Sequence, residues 1–193
     1  EWELPLAHLK PLAEHCHARG IQFSCTPFYL EAVEELAPYV DFYKVASYEL
    51  LVMPLLEACA HSGKPVVLST GMATIEEIKH AASTLRHAGA HDITLLHCVS
   101  AYPTPASEAN LSAIKSIREA TGCKTGWSDH TRRPAVIERA VHHWNAAVVE
   151  FHLDLDGEGA EYASDHFWLP EEIAPVIARI QESLFADGTG FKG

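Results

Sequence analysis

Positive charge is scarce in this chain. Fourteen lysines and arginines stand against 26 aspartates and glutamates in 193 residues, a formal net charge of −12 with a pI near 5.5. No basic stripe overrides that total, so a nucleic-acid or anionic-membrane partner is disfavoured, and an anionic substrate would need local positive groups. Long apolar runs are absent too: nothing approaches the length of a membrane span, and no charged-then-apolar signal opens the chain. The five cysteines, Cys16, Cys25, Cys59, Cys98 and Cys123, are odd in number, widely spaced and without a Cys-x-x-Cys pair. That usage predicts reduced, mostly buried thiols in a cytoplasmic protein rather than a disulfide framework. There is no low-complexity tract, and the first residue is Glu1 rather than Met, which leads us to expect an absent N-terminal portion. A composition of 48% hydrophobic and 21% charged residues suits one substantial core, so one domain is the starting expectation.

What is present is an alternation of two periodicities. Strand-like segments at 21–25, 42–46, 64–69, 93–97, 124–127 and 146–151 alternate with helix-like segments at 5–20, 28–37, 54–63, 74–89, 111–117, 134–144 and 170–184. Prolines at helix starts, glycines at helix ends and the capping box Thr74-Ile75-Glu76-Glu77 punctuate the helices. Such alternation predicts a parallel sheet with right-handed crossovers. In a doubly wound sheet only the strands at the switch point share a site, whereas in a barrel every strand end faces one mouth. Here nearly every strand end carries polar residues, which favours an α/β TIM (β/α)8 barrel of which this chain covers about strands 3 to 8. On that reading residues 1–185 form a partial barrel, the catalytic domain, and 186–193 form a tail or linker to an absent C-terminal domain.

Two strand ends stand out, Gly126-Trp127-Ser128-Asp129-His130 and Val148-Val149-Glu150-Phe151-His152. Each sets a histidine where an apolar run stops. If both strands lie in one parallel sheet, the two imidazoles can converge on a divalent ion, with Ser128 and Glu150 on the same inward faces and adjacent carboxylates orienting the ligands. Two protein donors leave open coordination positions, as a catalytic site requires. The chain has 13 histidines, and those on helices, His15, His17, His80, His87, His142 and His143, read as solvated faces. Lys44 lies within an apolar strand and must pair with an anion or lose its charge. It can pair with Glu49 or Glu150, or it can clamp a phosphate or carboxylate. Thr26, Ser47, Ser69 and Ser128 supply hydroxyls at neighbouring strand ends for the second role. The loop Ser100-Ala101-Tyr102-Pro103-Thr104-Pro105 is stiffened by two prolines, which either makes a rigid connection or holds a tyrosine hydroxyl toward substrate. The acidic stretch 154–165, with Asp154, Asp156, Glu158, Glu161 and Asp165, reads as a solvated mobile lid, or as a carboxylate source for a polyol.

Across these stretches the sequence resembles the sialic acid (N-acetylneuraminate) synthase family. The resemblance rests on Cys25-Thr26-Pro27-Phe28, Tyr43-Lys44-Val45-Ala46-Ser47, Lys64-Pro65-Val66-Val67-Leu68-Ser69-Thr70-Gly71-Met72, His97-Cys98-Val99-Ser100, Tyr102-Pro103-Thr104-Pro105, Trp127-Ser128-Asp129-His130-Thr131 and Glu150-Phe151-His152. It implies that phosphoenolpyruvate condenses with an N-acetylmannosamine-like amino-sugar aldehyde to give a nine-carbon 2-keto acid and phosphate, in surface polysaccharide biosynthesis. It further implies that His130 and His152 hold Mn2+, or Mg2+ or Co2+ in its place. Thr26, Lys44, Ser47, Ser69, Ser100 and Ser128 would surround phosphoenolpyruvate, Tyr102 would face the acceptor, and Glu49 or Glu150 would move a proton or orient water. A homodimer of the full-length protein is implied as well. After His152 the family shows a Gly-Pro-Asp-His-like stretch, whereas here 156–161 intervene before Asp165-His166, a variant similar to the family's spore-coat polysaccharide branch. Two other readings compete: an aldolase with Lys44 as Schiff-base residue, and a degenerate barrel that binds a phosphorylated sugar without turnover.

Overall fold

The computed structural model describes residues 4–159 and 163–186. The chain divides into two compact units, Glu1–Leu95 with Ala120–Lys124, and Leu96–Glu119 with Thr125–Gly193. Among the described residues six strands, β1 (Tyr43–Val45), β2 (Val66–Ser69), β3 (Ile93–His97), β4 (Lys124–Asp129), β5 (Val149–Leu153) and β6 (Phe167–Trp168), are ordered β1-β2-β3-β4-β5-β6, as they occur in the chain. The β1–β2, β4–β5 and β5–β6 pairs are parallel. The described residues also form the helices α1 (Leu9–Ala18), α2 (Leu30–Leu36), α3 (Met53–His61), α4 (Ile75–His87), α5 (Ala113–Thr121), α6 (Pro134–His142) and α7 (Pro170–Ala186). Every helical segment expected from the periodicity is present. Among the described residues no helix is long and apolar enough to cross a membrane.

In the first unit, Tyr43, Val45, Val66 and Leu68 are wholly buried, and so are Leu56 and Cys59 of α3 and Ala81, Ala82 and Leu85 of α4. These alternate with half-buried Lys44 and Val67, so each strand sets one face among apolar helices and leaves the other for polar groups. Helix α4 begins where Thr74 accepts the Glu77 amide and Glu77 accepts the Thr74 amide, the reciprocal pair that satisfies two otherwise orphan donors. Helix α3 has proline in its first turn, where no amide donor is needed.

In the second unit, Trp127 of β4 is fully buried against Leu111, Ile114, Val136, Ala140 and Ala146. A second cluster joins Ile137 of α6 to Trp168 of β6 and to Ile173 and Val176 of α7. β6 is therefore anchored by one indole despite its length of two residues.

One expected strand is absent and one unexpected strand is present. Segment 21–25 makes no ladder. Its amide at Phe23 goes to the Asp41 side chain at 2.7 Å, its carbonyl takes the Asp41 amide at 2.8 Å, and Ser24 Oγ donates to the Phe42 carbonyl at 2.8 Å. Side chains thus occupy positions that a neighbouring strand's backbone would fill. β6, conversely, is too short to show a period of two in sequence. All five cysteines are free thiols, with Cys59, Cys98 and Cys123 buried as expected and Cys16 and Cys25 half-buried. Glu161 of the acidic stretch and residues 187–193 of the expected tail lie outside the described residues.

Candidate active site

β4 is the element that delivers the first histidine. Gly126 lets it run close to its neighbour, because a Cβ there would collide with the Val148 carbonyl oxygen and stand 2.6 Å from Leu96 Cδ2. The parallel register sets Ser128 beside Glu150, and Ser128 Oγ donates to Glu150 Oε1 at 3.2 Å. His130 follows the last residue of β4 and is only 4% exposed. Its Nδ1 lies 2.9 Å from the Val99 carbonyl. A carbonyl can only accept, so Nδ1 carries the proton and Nε2 keeps its lone pair in the neutral ring. Burial is the main cause that holds the His130 pKa below its ordinary value, outweighing the Val99 carbonyl, Asp129 and Glu150, so the neutral form prevails at physiological pH.

His152 on β5 brings its ring to 5.3 Å from that of His130, the convergence expected from the two strand ends. Tyr102 stands 4.2 Å from His130 and 6.1 Å from His152, with about half of its surface exposed. Its loop is pinned to the His130 turn, since the Thr104 amide donates to the His130 carbonyl at 2.8 Å and Thr104 Oγ1 donates to the Ala101 carbonyl at 2.7 Å. Half-buried Ser100 opens the same loop.

His166 completes the cluster, and sequence reasoning did not single it out. Its ring is 4.9 Å from His152, 5.1 Å from Tyr102 and 6.4 Å from His130, with Ser164 Oγ 2.7 Å from its Nδ1. The signal that could have found it is the Asp165-His166 pair, displaced along the chain by the preceding insertion. The acidic stretch itself is partly self-satisfied: Asp154 accepts from the Asp156 and Gly157 amides, and Asp156 accepts from Glu158.

Asp129 departs from expectation. As the carboxylate adjacent to His130 it is expected to orient the imidazole, yet Val99 does that instead. Successive strand residues point to opposite faces, so the Asp129 carboxylate turns away from the histidines. It is wholly buried and accepts from Trp127 Nε1, Trp168 Nε1, Thr131 Oγ1 and the amides of Thr131 and Arg132.

The first unit carries its own polar residues at strand ends. Lys44 is half-buried between two fully buried neighbours, and its Nζ donates to the Val45 carbonyl at 3.2 Å. The Gly71 amide donates to Ser47 Oγ at 3.0 Å, which ties the exit of β1 to that of β2. Glu49 Oε2 and Ser69 Oγ are buried with no hydrogen-bond partner among the described residues. Leaving such atoms bare costs roughly 1–3 kcal/mol each, so they are suited to a polar ligand. Thr26 is half-buried in a hollow of about 460 Å3, beside Cys25, Phe28 and Leu36.

For a divalent ion the donor chemistry fits in part. His130 is a neutral imidazole whose Nε2 can donate a lone pair, and His152 is its neighbour. Among the described residues no group of three His, Cys, Asp or Glu side chains is arranged to hold an ion. Two imidazoles alone would leave an ion's remaining positions to substrate or water.

Comparison with known proteins gives a consistent pattern. The profile of the NeuB family matches residues 1–192. The chain is 36% identical over 193 residues to the N,N'-diacetyllegionaminic acid synthase of Campylobacter jejuni, covering 98% of this chain and 58% of that protein. Among solved structures, the N-acetylneuraminic acid (sialic acid) synthetase of Leptospira borgpetersenii, in complex with citrate, superposes with a TM-score of 0.88 at 30% identity, covering 99% of this chain and 67% of that one. A spore coat polysaccharide biosynthesis protein E from Chromobacterium violaceum superposes with a TM-score of 0.86 at 33% identity, covering 98% and 57%. The chain thus spans about half the length of the curated relatives it matches.

Proposed function

Because this chain belongs to the NeuB family, we propose that the protein condenses phosphoenolpyruvate with an N-acetylmannosamine-like amino-sugar aldehyde, giving a nine-carbon 2-keto acid and phosphate in polysaccharide biosynthesis. Segments 21–25, 42–46, 64–69, 93–97, 124–127 and 146–151 are read as strands three to eight of an eight-stranded barrel, within one catalytic domain over 1–185 and with β6 as an addition beyond them. The observation that carries the reading is the cluster of Tyr102, His130, His152 and His166, with His130 neutral and its tautomer set by Val99. His130 and His152 would hold Mn2+, or Mg2+ or Co2+ in its place, and the chemistry such an ion supplies when bound is polarisation of a carbonyl oxygen.

Everything else falls to the chain. Lys44 is the cation for the phosphate or carboxylate of phosphoenolpyruvate, and Thr26, Ser47, Ser69, Ser100 and Ser128 are its hydroxyl donors. The bare Ser69 Oγ supports that assignment. Tyr102 faces the acceptor. The methylene carbon of phosphoenolpyruvate forms the new bond to the aldehyde carbon as the C=O pair moves to the aldehyde oxygen, which takes up a proton as the new hydroxyl. Water adds at the resulting oxocarbenium carbon with loss of one proton. The tetrahedral intermediate gives the ketone as its hydroxyl loses its proton and the C–O bond to phosphate breaks. Glu49 accepts a proton from that water, with Glu150, already taking the Ser128 hydroxyl, as the other candidate base. The protein is read as a cytoplasmic homodimer.

Phosphate release from phosphoenolpyruvate, measured with Mn2+ across a panel of N-acetylated and deoxy amino sugars, tests the proposal. Release with one sugar, abolished in His130→Ala and His152→Ala, is the expected result and names the acceptor. Saturable phosphoenolpyruvate binding without release for any sugar would refute it.

A further inference from the structure

Arg132 occupies an unusual position two residues beyond His130. Its backbone is left-handed, with φ +50°, and its amide is held by Asp129 Oδ2 at 3.1 Å. Its guanidinium, only 18% exposed, reaches two segments at once: one nitrogen bonds Asp165 Oδ1 at 2.7 Å and the other bonds Glu172 Oε1 at 2.5 Å. Asp165 is itself left-handed, with φ +59°, and immediately precedes His166. Glu172 lies in the first turn of α7, where its other oxygen accepts the Leu169 amide at 3.0 Å. The two bonds therefore bracket the stretch that contains His166 and β6, and both start from the turn that carries His130.

We infer that Arg132 is a positioning residue that holds His166 against Tyr102 and His152, and so shapes the acceptor side of the site. Two left-handed non-glycine backbones, each costing about 1 kcal/mol or more, persist because the ion pair between them, with the second pair from Arg132 to Glu172, over-determines the local geometry. A planar guanidinium offers separate donors to two carboxylates, whereas a lysine ammonium is a point charge that cannot span both in this arrangement. Asp165 is well exposed, so only the Arg132 end of that pair is sheltered from solvent. The role in acceptor binding rests on the synthase reading; the holding of His166 does not.

Two variants separate these layers, Arg132→Lys and Asp165→Asn, each compared with wild type by hydrogen–deuterium exchange over 163–169 and by kinetics. Protection of that segment is expected to fall roughly tenfold, the scale of one lost charge-assisted hydrogen bond, together with a similar rise in KM for the sugar and no change in KM for phosphoenolpyruvate. In a His166→Ala background Arg132→Lys should raise the sugar KM no further, because its effect passes through that ring. Unchanged protection in both variants would overturn the inference. So would KM shifts that are equal for both substrates or additive with His166→Ala. If the wild-type protein released no phosphate with any sugar, the synthase reading would fail, while the exchange data would still decide whether Arg132 holds the segment.

Discussion

Replacing Asp129 with Asn tests how the turn carrying His130 is held. The carboxylate is fully buried and accepts five hydrogen bonds: Oδ1 takes Trp127 Nε1 at 3.0 Å, Thr131 Oγ1 at 2.7 Å and the Thr131 amide at 3.3 Å, while Oδ2 takes the Arg132 amide at 3.1 Å and Trp168 Nε1 at 3.1 Å. Four of those donors are N–H groups that cannot turn round to accept. Asn keeps one oxygen and sets an NH2 where the other was, so whichever way the amide lies, at least two N–H donors face another donor. Hydrogen bonds to a charged group contribute roughly 1.5–3 kcal/mol each, so the substitution should cost about 3–6 kcal/mol. That is a large part of the roughly 5–15 kcal/mol by which ordinary domains are stable. Urea unfolding followed by tryptophan fluorescence reports it directly, since Trp127 and Trp168 are both partners of the carboxylate. Thr131→Val calibrates the scale: it removes a hydroxyl that donates to Asp129 and accepts the Arg133 amide, and should cost about 2–4.5 kcal/mol by the same measure. An Asp129→Asn variant within about 1 kcal/mol of wild type would refute the account, because the carboxylate would then be replaceable by a neutral group of the same shape.

Two other outcomes follow from the same geometry. Gly126→Ala would drive a methyl group against the Val148 carbonyl and Leu96, and since the nearer obstacle is backbone, the cost should reach or exceed the roughly 1–3 kcal/mol typical of overpacking; an unchanged urea midpoint would show that β4 and β5 separate freely. Burial holds the His97 pKa below its ordinary value against the opposing pull of the Ala109 and Asn110 carbonyls, so the unfolded chain binds that proton first. Its contribution to stability is then complete above the unfolded pKa near 6.5 and is lost as pH falls toward the folded value, with a slope of up to about 1.4 kcal/mol per pH unit. His130 is shifted in the same direction and adds to the same window, whereas the carboxylates with lowered pKa, Asp41, Glu77 and Glu172, act only at lower pH. Urea midpoints between pH 7.5 and 5.5 should therefore fall with pH in the wild type and fall less steeply in His97→Gln; equal slopes would contradict the assignment to His97.

Most of the helices were legible in the residue order itself, because caps and apolar spacing are local. The Thr74–Glu77 box and the prolines of α3 and α6 lie within a turn of what they control. The approach of His130 to His152 was legible for a similar reason: each stands where an apolar strand stops, and a parallel register carries both to the same level. Strand pairing was less so. Segment 21–25 has strand composition, yet whether a ladder forms depends on a neighbour's backbone, and here Asp41 offers a side chain and one amide and Phe42 one carbonyl instead. β6 has too few residues to carry a period, and it forms because the Trp168 indole finds Asp129 and the α6–α7 core.

The amino-acid order alone therefore determined the alternating parallel α/β class, the helix boundaries to within a few residues, and the pairing of His130 with His152, since these rest on periodicities of two and 3.6 and on contacts within one turn. Three things were decided only by tertiary contact. Asp129 binds indoles rather than its neighbouring imidazole, because a strand turns successive side chains to opposite faces and Trp168 arrives from 39 residues away. His130 takes its tautomer from the Val99 carbonyl, 31 residues earlier. His166 joins the cluster from a loop without periodicity, brought there by ion pairs to Arg132 that no local pattern encodes.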